Sequence, residues 1–281
     1  MTWVKLGLAG AVLLAAVAAA GCQGGDSDGR TETFAERELT EPGTLRICAE
    51  AARPPMAYRG ADGVLRGFEV DLLREIAGLN DLEPVWVETT HAELLDTLAE
   101  GKCDMIASAL TVRYDDQSRI AEFPYLTAPI GLLVRDEERA PVALGLCGRA
   151  VGALAGTLEE ELAGTYSEEC VDAGRPPAEV VVTTSTDDGL ARLREGDIDV
   201  LLDDRPTTDW FARRQTDSFD DGGTLSSQDN VVYAIGYGIG KNTLFSGIQG
   251  SLHGLNRDGT LPELIHRWGL EDAGVRLLRL S

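Results

Sequence analysis

Two stretches of this chain repeat one hydrophobic–polar pattern. Leu94 to Ile106 and Leu190 to Leu201 each set leucines three or four residues apart, close with Glu-Gly, and enter an apolar run through an aspartate. Such spacing predicts a helix with one buried face, and the glycines, Gly101 and Gly196, suit the left-handed conformation that ends a helix. Thr90 with Glu93 three residues on is a capping-box signature at the start of the first of them. Around these units the alternation is strand, helix, strand. The first half predicts strands at Leu45–Cys48, Pro84–Glu88 and Cys103–Leu110, with helices at Phe68–Leu79 and His91–Glu100. The second half predicts strands at Ala150–Leu154, Glu179–Thr183 and Ile198–Asp203, with helices at Leu158–Tyr166, Gly189–Glu195 and Thr207–Arg214. A helical tail follows from Leu244 to Leu270, interrupted at Arg257-Asp258-Gly259-Thr260.

Apolar strands alternating with helices imply parallel sheets covered on both faces. Two such sheets in one α/β chain make two lobes with a crevice between them. The Gly-rich extended run Val231–Gly240 and the run Gly131–Arg135 are the candidates for two hinge strands crossing between the lobes. Ligands of open α/β sheets sit outside the carboxyl ends of the strands, which singles out Cys48-Ala49-Glu50, Ser108-Ala109-Leu110-Thr111 and Asp203-Asp204.

The amino terminus changes the compartment. Lys5 precedes a short apolar run from Leu6 to Ala20, followed by Gly21-Cys22, which reads as an export signal with a small-residue cleavage site. The run is too short and too poor in large side chains for a comfortable membrane span. Ala19-Ala20-Gly21-Cys22 is similar to the bacterial lipobox, in which cleavage before the cysteine leaves it to be acylated, with palmitate among the acyl groups. The segment Gln23 to Pro42 is Gly, Ser, Thr and acids, with Phe34 and Leu39 its only large apolar residues, and is expected to be a flexible acidic tether. The expected division is a lipoprotein signal peptide over 1–21, the tether over 22–42, one lobe from 43–134 plus 232–281, and a second from 135–231. About 260 residues remain after processing, enough for proper cores.

The chain carries 47 acidic against 25 basic residues, a formal charge of −22. Nucleic acid and anionic lipid are therefore poor partners, since both need a basic face. Of five cysteines, a lipidated Cys22 leaves an even set in an oxidising location. Cys147 and Cys170 flank a strand and a helix and make a plausible pair. Cys48 and Cys103 are harder to join. If their strands are parallel neighbours, the two lie near opposite ends, roughly 13 Å apart, beyond the roughly 7 Å Cα limit of a disulfide. Either the strands are offset or both thiols are buried and free. The histidines, His91, His253 and His266, show no metal-ligand spacing, and no cofactor or nucleophile motif is present.

A set of strings in order resembles the family 3 extracellular solute-binding proteins of amino-acid ABC transporters. They are Gly43-Thr44-Leu45-Arg46-Ile47, Pro54-Pro55-Met56-Ala57-Tyr58, Gly67-Phe68-Glu69-Val70-Asp71-Leu72, Gly101-Lys102-Cys103-Asp104-Met105-Ile106 and Phe123-Pro124-Tyr125, then Leu146-Cys147-Gly148-Arg149-Ala150-Val151-Gly152, Ala155-Gly156-Thr157, and Asp258-Gly259-Thr260 ahead of Trp268. The resemblance implies a two-lobed periplasmic-binding-protein-like fold of type II. It also implies a monomer without catalytic activity that traps a small polar ligand, an amino acid or an amine, and delivers it to an importer's permease from the outer face of the membrane. Carried over residue by residue, it places the Thr157 loop against a ligand carboxylate and makes Asp204 the acceptor for an α-amino group. It also places Thr111 and the Ala109 backbone in the first-lobe contacts, and Glu50 facing the ligand, as in members that take cationic amino acids. On that reading Asp204→Ala abolishes ligand binding and leaves the unliganded melting point nearly intact.

One position departs from the pattern. The family's carboxylate-clamping arginine, suited to that task by its bidentate geometry, falls on Asp116, with Arg113 nearby as the substitute to consider. Without a substitute, Glu50, Asp116 and Asp204 suit an amine or another cation. Arg53 and His91 stand where family members often have Tyr or Phe. Two other readings remain. Leu45-Arg46-Ile47-Cys48-Ala49-Glu50 and Gly101-Lys102-Cys103-Asp104 are similar to periplasmic accessory proteins of quinoprotein dehydrogenase systems, which also lack the arginine. A small-molecule lyase on the same fold is the third.

Overall fold

The computed structural model describes residues 38–111, 119–135, 145–225 and 230–278. Strand β1 (Thr44–Ala49) leads to a small antiparallel sheet of β2 (Ala52–Arg53), β3 (Ala57–Arg59) and β4 (Leu65–Arg66). Helix α1 (Phe68–Leu79) follows over the residues its periodicity predicts, burying Phe68, Leu72, Leu73 and Ile76. Gly67 at its start has φ 143°, and a Cβ there would lie 2.1 Å from the Met56 carbonyl oxygen. Only glycine fits, which explains the first letter of the Gly-Phe-Glu-Val-Asp string.

Strand β5 (Glu83–Glu88) pairs in parallel with β1 on one side, and β6 (Met105–Ile106) does so on the other. Between them, the Thr90–Glu93 capping box closes a 3₁₀ turn over His91–Glu93, and helix α2 covers only Leu94–Ala99. The second half contains β8 (Ala150–Leu154), α3 (Leu158–Asp172), β9 (Glu179–Thr183), α4 (Thr186–Glu195), β10 (Val200–Asp204) and α5 (Arg205–Arg214), with β8 parallel to both β9 and β10. Gly101 and Gly196 take the left-handed conformation their positions predict, at φ 71° and 85°.

The halves meet through β7 (Ala121–Arg135). Its first part pairs antiparallel with β12 (Asn230–Tyr237), and from Ile130 onward it pairs with β10 and with β11 (Phe219–Thr224). The crossing therefore falls near Pro129–Ile130. Gly131–Arg135 already belongs to the second sheet and Val231–Tyr237 to the first, so neither run is itself the crossing point. Helices α6 (Asn242–Asp258) and α7 (Thr260–Arg267) and the short β13 (Arg276–Leu277) return to the first sheet side. No helix among the described residues is long and apolar enough to cross a membrane.

Three further expectations change. The strand expected over Cys103–Leu110 is reduced to Met105–Ile106, because Ala109 sits at φ 50° with its N–H turned out of the ladder. Cys103 precedes the paired segment and is not held to strand spacing. It lies over the face of β1 with Leu94 and Leu98, 5.7 Å from Cys48 between Cα atoms, and the two form a disulfide. Cys147 and Cys170 form the second. The last residues assigned to the tether are docked on the domain. Leu39 is buried, Thr40 N–H donates to Asp104 Oδ1 at 2.6 Å, and Glu38 accepts the N–H groups of Thr243 and Leu244 at the start of α6. Desolvation pushes the Glu38 carboxyl upward, but these hydrogen bonds hold it below its ordinary value. Cys22 and the rest of the expected signal and tether lie outside the described residues.

Candidate functional site

The carboxyl ends of the parallel strands converge where the pattern of the fold places a ligand. Glu50 follows β1, and its N–H donates to Ser108 Oγ at 2.8 Å, tying the ends of β1 and β6 together. Thr111 pairs across to Tyr233 of β12. Ala109 donates its N–H to Glu69 Oε2 at 2.7 Å, and Tyr125 donates its hydroxyl to Glu69 Oε1 at 2.7 Å. Burial pushes the Glu69 carboxyl up to about 7, against the lowering effect of both hydrogen bonds. Its position in α1, in step with Leu72, Leu73 and Ile76, was the available signal that this acid faces inward.

From the second sheet, Thr157 caps α3 by accepting the N–H of Glu160 at 3.4 Å, while Glu160 reaches back to the Gly156 N–H at 2.7 Å. The Thr157 hydroxyl donates to Leu154 O, and its N–H is directed at the same carbonyl, 3.3 Å away. Asp204 ends β10 with 0% exposure and caps α5, accepting the Thr207 N–H at 2.8 Å. Tyr233 from β12 faces it, and burial, reinforced by the Asp204 charge, lifts the Tyr233 hydroxyl far above its ordinary value.

Arg53 joins the two sides. It is rooted in β2 and is 4% exposed, and its Nη2 donates to Asp203 Oδ1 at 2.8 Å and to Asp204 Oδ2 at 2.9 Å. Nη1 reaches Thr186 Oγ1, at the start of α4, at 3.4 Å. Burial alone would lower the guanidinium, but Asp203, Asp204, Glu50 and Glu159 outweigh it and hold the charge firmly on. The acids are less well served. Burial raises Asp203 to about 7 despite Arg53, because Asp204 and Glu159 add repulsion. Glu50 and Glu159 are also raised, burial first in both cases. Among the described residues one buried guanidinium faces several carboxyls, so acids outnumber cations there. His91 Nδ1 lies 3.8 Å from Glu50 Oε2. A groove of about 500 Å³ lined by Glu50, Ala52, Arg59, Glu88, Thr90 and Glu93 opens beside Glu50.

Aromatic rings close one flank. Trp210 of α5 meets Tyr58 edge-on at 5.0 Å and Trp268 at 6.5 Å, with the Arg214 guanidinium over its face. Of the residues expected at the site, Glu50, Ala109, Thr111, Thr157 and Asp204 lie at these strand ends, whereas Arg113 and Asp116 lie outside the described residues. Glu69, Glu159 and Thr186 were not expected to take part, and Asp203 was singled out by its strand end without a role of its own. Arg53 was marked only as a missing aromatic, although a lone cation among Ala51, Ala52, Pro54 and Pro55 was a signal of burial.

Two sheets that turn polar strand ends toward each other, with side chains meeting between them, define a two-lobed solute-binding protein. The family profile of the bacterial extracellular solute-binding proteins, family 3, matches residues 45–271, and the chain belongs to that family. It is 29% identical over 185 residues to a probable histidine-binding protein of Campylobacter jejuni, covering 65% of this chain and 68% of that one. It is 27% identical over 237 residues to the L-cystine-binding protein TcyJ of Escherichia coli, covering 82% and 84%. Among solved structures, a mutant of ArgBP from T. maritima superposes with a TM-score of 0.70 at 26% identity, over 83% of this chain and 98% of that one.

Proposed function

We propose that this protein is an extracytoplasmic receptor that captures a small polar solute, an amino acid or an amine, between its lobes and hands it to an ABC importer. The observation that carries the reading is the excess of buried carboxyls, Glu50, Glu159, Asp203 and Asp204, around the one guanidinium of Arg53. A cation supplied by a solute offsets that excess, and closure around it strengthens each polar contact by excluding water. Relatives named for histidine, cystine and arginine binding support a ligand that carries an ammonium group. In this reading Cys22 bears the lipid anchor and the mature domain works at the membrane's outer face as a monomer, with no catalytic role of its own.

The test is a thermal-shift screen of the mature chain from Cys22 against the common amino acids and their amines. A solute that binds only the folded state raises the melting point by mass action. A shift with one or a few cationic or zwitterionic solutes is expected, and no shift with any of them would sink the proposal. Cys22→Ser supplies the test of the anchor: the wild-type precursor is expected in the membrane fraction and the variant in the soluble one.

A further inference from the structure

The carboxylate end of an amino-acid ligand has no charged partner beyond the Thr157 loop, because the family pattern puts Asp116 where a clamping arginine is expected. Arg53 is the one buried Lys or Arg among the described residues. It holds both aspartates with a single nitrogen, Nη2, while its Nε–H, equally buried, has no hydrogen-bond partner. In the same cleft Glu50, 7% exposed, has a buried Oε2 that accepts no hydrogen bond. A donor and an acceptor left over at one site match the two ends of a zwitterion.

We propose that Arg53 is the carboxylate-anchoring residue of this receptor, an assignment that rests on the receptor reading above. An α-amino acid sets one carboxylate oxygen against the unpartnered Nε–H of the guanidinium. Its ammonium takes Glu50 and the remaining lone pairs of Asp203 and Asp204. The ligand thus inserts into an existing ion pair without breaking it, and each of its charges meets its opposite. A guanidinium suits this task because its planar fork serves an acid on each of two edges, which the point charge of a lysine cannot do.

The test is calorimetric titration of the mature protein with arginine and agmatine, and with histidine and histamine, pairs that differ only in the carboxylate. The wild type is expected to prefer the amino acid by at least about tenfold. Arg53→Lys keeps the charge beside Asp203 and Asp204, so the fold is retained. It is expected to weaken the amino acid roughly tenfold to hundredfold, the worth of a charged hydrogen bond, and to leave the amine within about threefold. Arg113→Gln is expected to change neither. The assignment is overturned if Arg53→Lys leaves the amino acid's affinity intact, if the wild type takes amine and amino acid alike, or if the loss appears at Arg113→Gln instead. A wild type that binds none of the four, and nothing in the wider screen, would instead overturn the receptor reading and this assignment with it.

Discussion

Replacing Asp204 by alanine removes two structural bonds as well as the proposed ligand contact. Its Oδ1 caps α5 through the Thr207 N–H and its Oδ2 holds Arg53, both out of contact with water. Loss of an aspartate cap costs about 1 kcal/mol. Breaking a buried ion pair outright costs about 3–5 kcal/mol. Here Asp203 still holds the guanidinium at 2.8 Å, and the repulsion among Asp203, Asp204 and Glu159 is relieved. The pair therefore contributes less, about 1–2 kcal/mol, and the whole change comes to about 2–3 kcal/mol. In urea unfolding of the unliganded protein the midpoint should fall by about 1 M with little change in slope. Asp204→Asn keeps a capping oxygen and should recover about 1 kcal/mol of the loss. An Asp204→Ala midpoint equal to that of the wild type would refute the buried, bonded position of this side chain. It would restore the simpler expectation of a purely ligand-facing acid.

Other consequences follow from the same structure. Asp203 and Glu69 are raised to about 7, so the folded state keeps protons that the unfolded chain has released. Their contribution to stability is complete below about pH 4 and lost as pH rises to about 7, so the unliganded protein should be less stable at pH 7.5 than at pH 5.5. Binding a cation favours the ionised acids, so calorimetry near pH 6 in two buffers of different ionisation enthalpy should show proton release; equal heats would contradict the placement of these acids. The disulfides span 55 and 23 residues, which makes them worth about 4 and about 3 kcal/mol by loop-closure entropy. Cys48→Ser and Cys103→Ser together should therefore lower stability by at least as much as the Cys147/Cys170 pair, measured by urea midpoint; the reverse order would argue against the longer closure. Gly67→Ala must place a methyl 2.1 Å from the Met56 oxygen at a φ of 143°, and should cost more than about 2 kcal/mol in the same assay.

The regular elements were legible because local rules decide them. Helix α1 follows from the spacing of Phe68, Leu72, Leu73 and Ile76, and the left-handed helix ends at Gly101 and Gly196 follow from the residue type. What failed depends on tertiary partners. Cys103 escapes strand spacing because the ladder begins only at Met105, and no local pattern marks where a ladder begins. Ala109 is turned out of its strand by Glu69, forty positions earlier in the chain. Composition places Glu38 and Leu39 in a solvated tether, yet α6 supplies unpaired N–H groups that Glu38 satisfies. At the site, Thr157 came with the family resemblance, while the strand-end rule singled out Glu50, Asp203 and Asp204 from the chain alone. It could not show that Arg53, 150 residues before Asp203, crosses the cleft to reach it.

The most direct test of capture between the lobes is a crystal structure of the mature chain grown with the tightest solute from the thermal screen. The account predicts that solute at the strand ends, its cationic group within about 3.2 Å of a carboxylate of Asp204 or Glu50. A solute seated elsewhere, with neither carboxyl in contact with it, would contradict it.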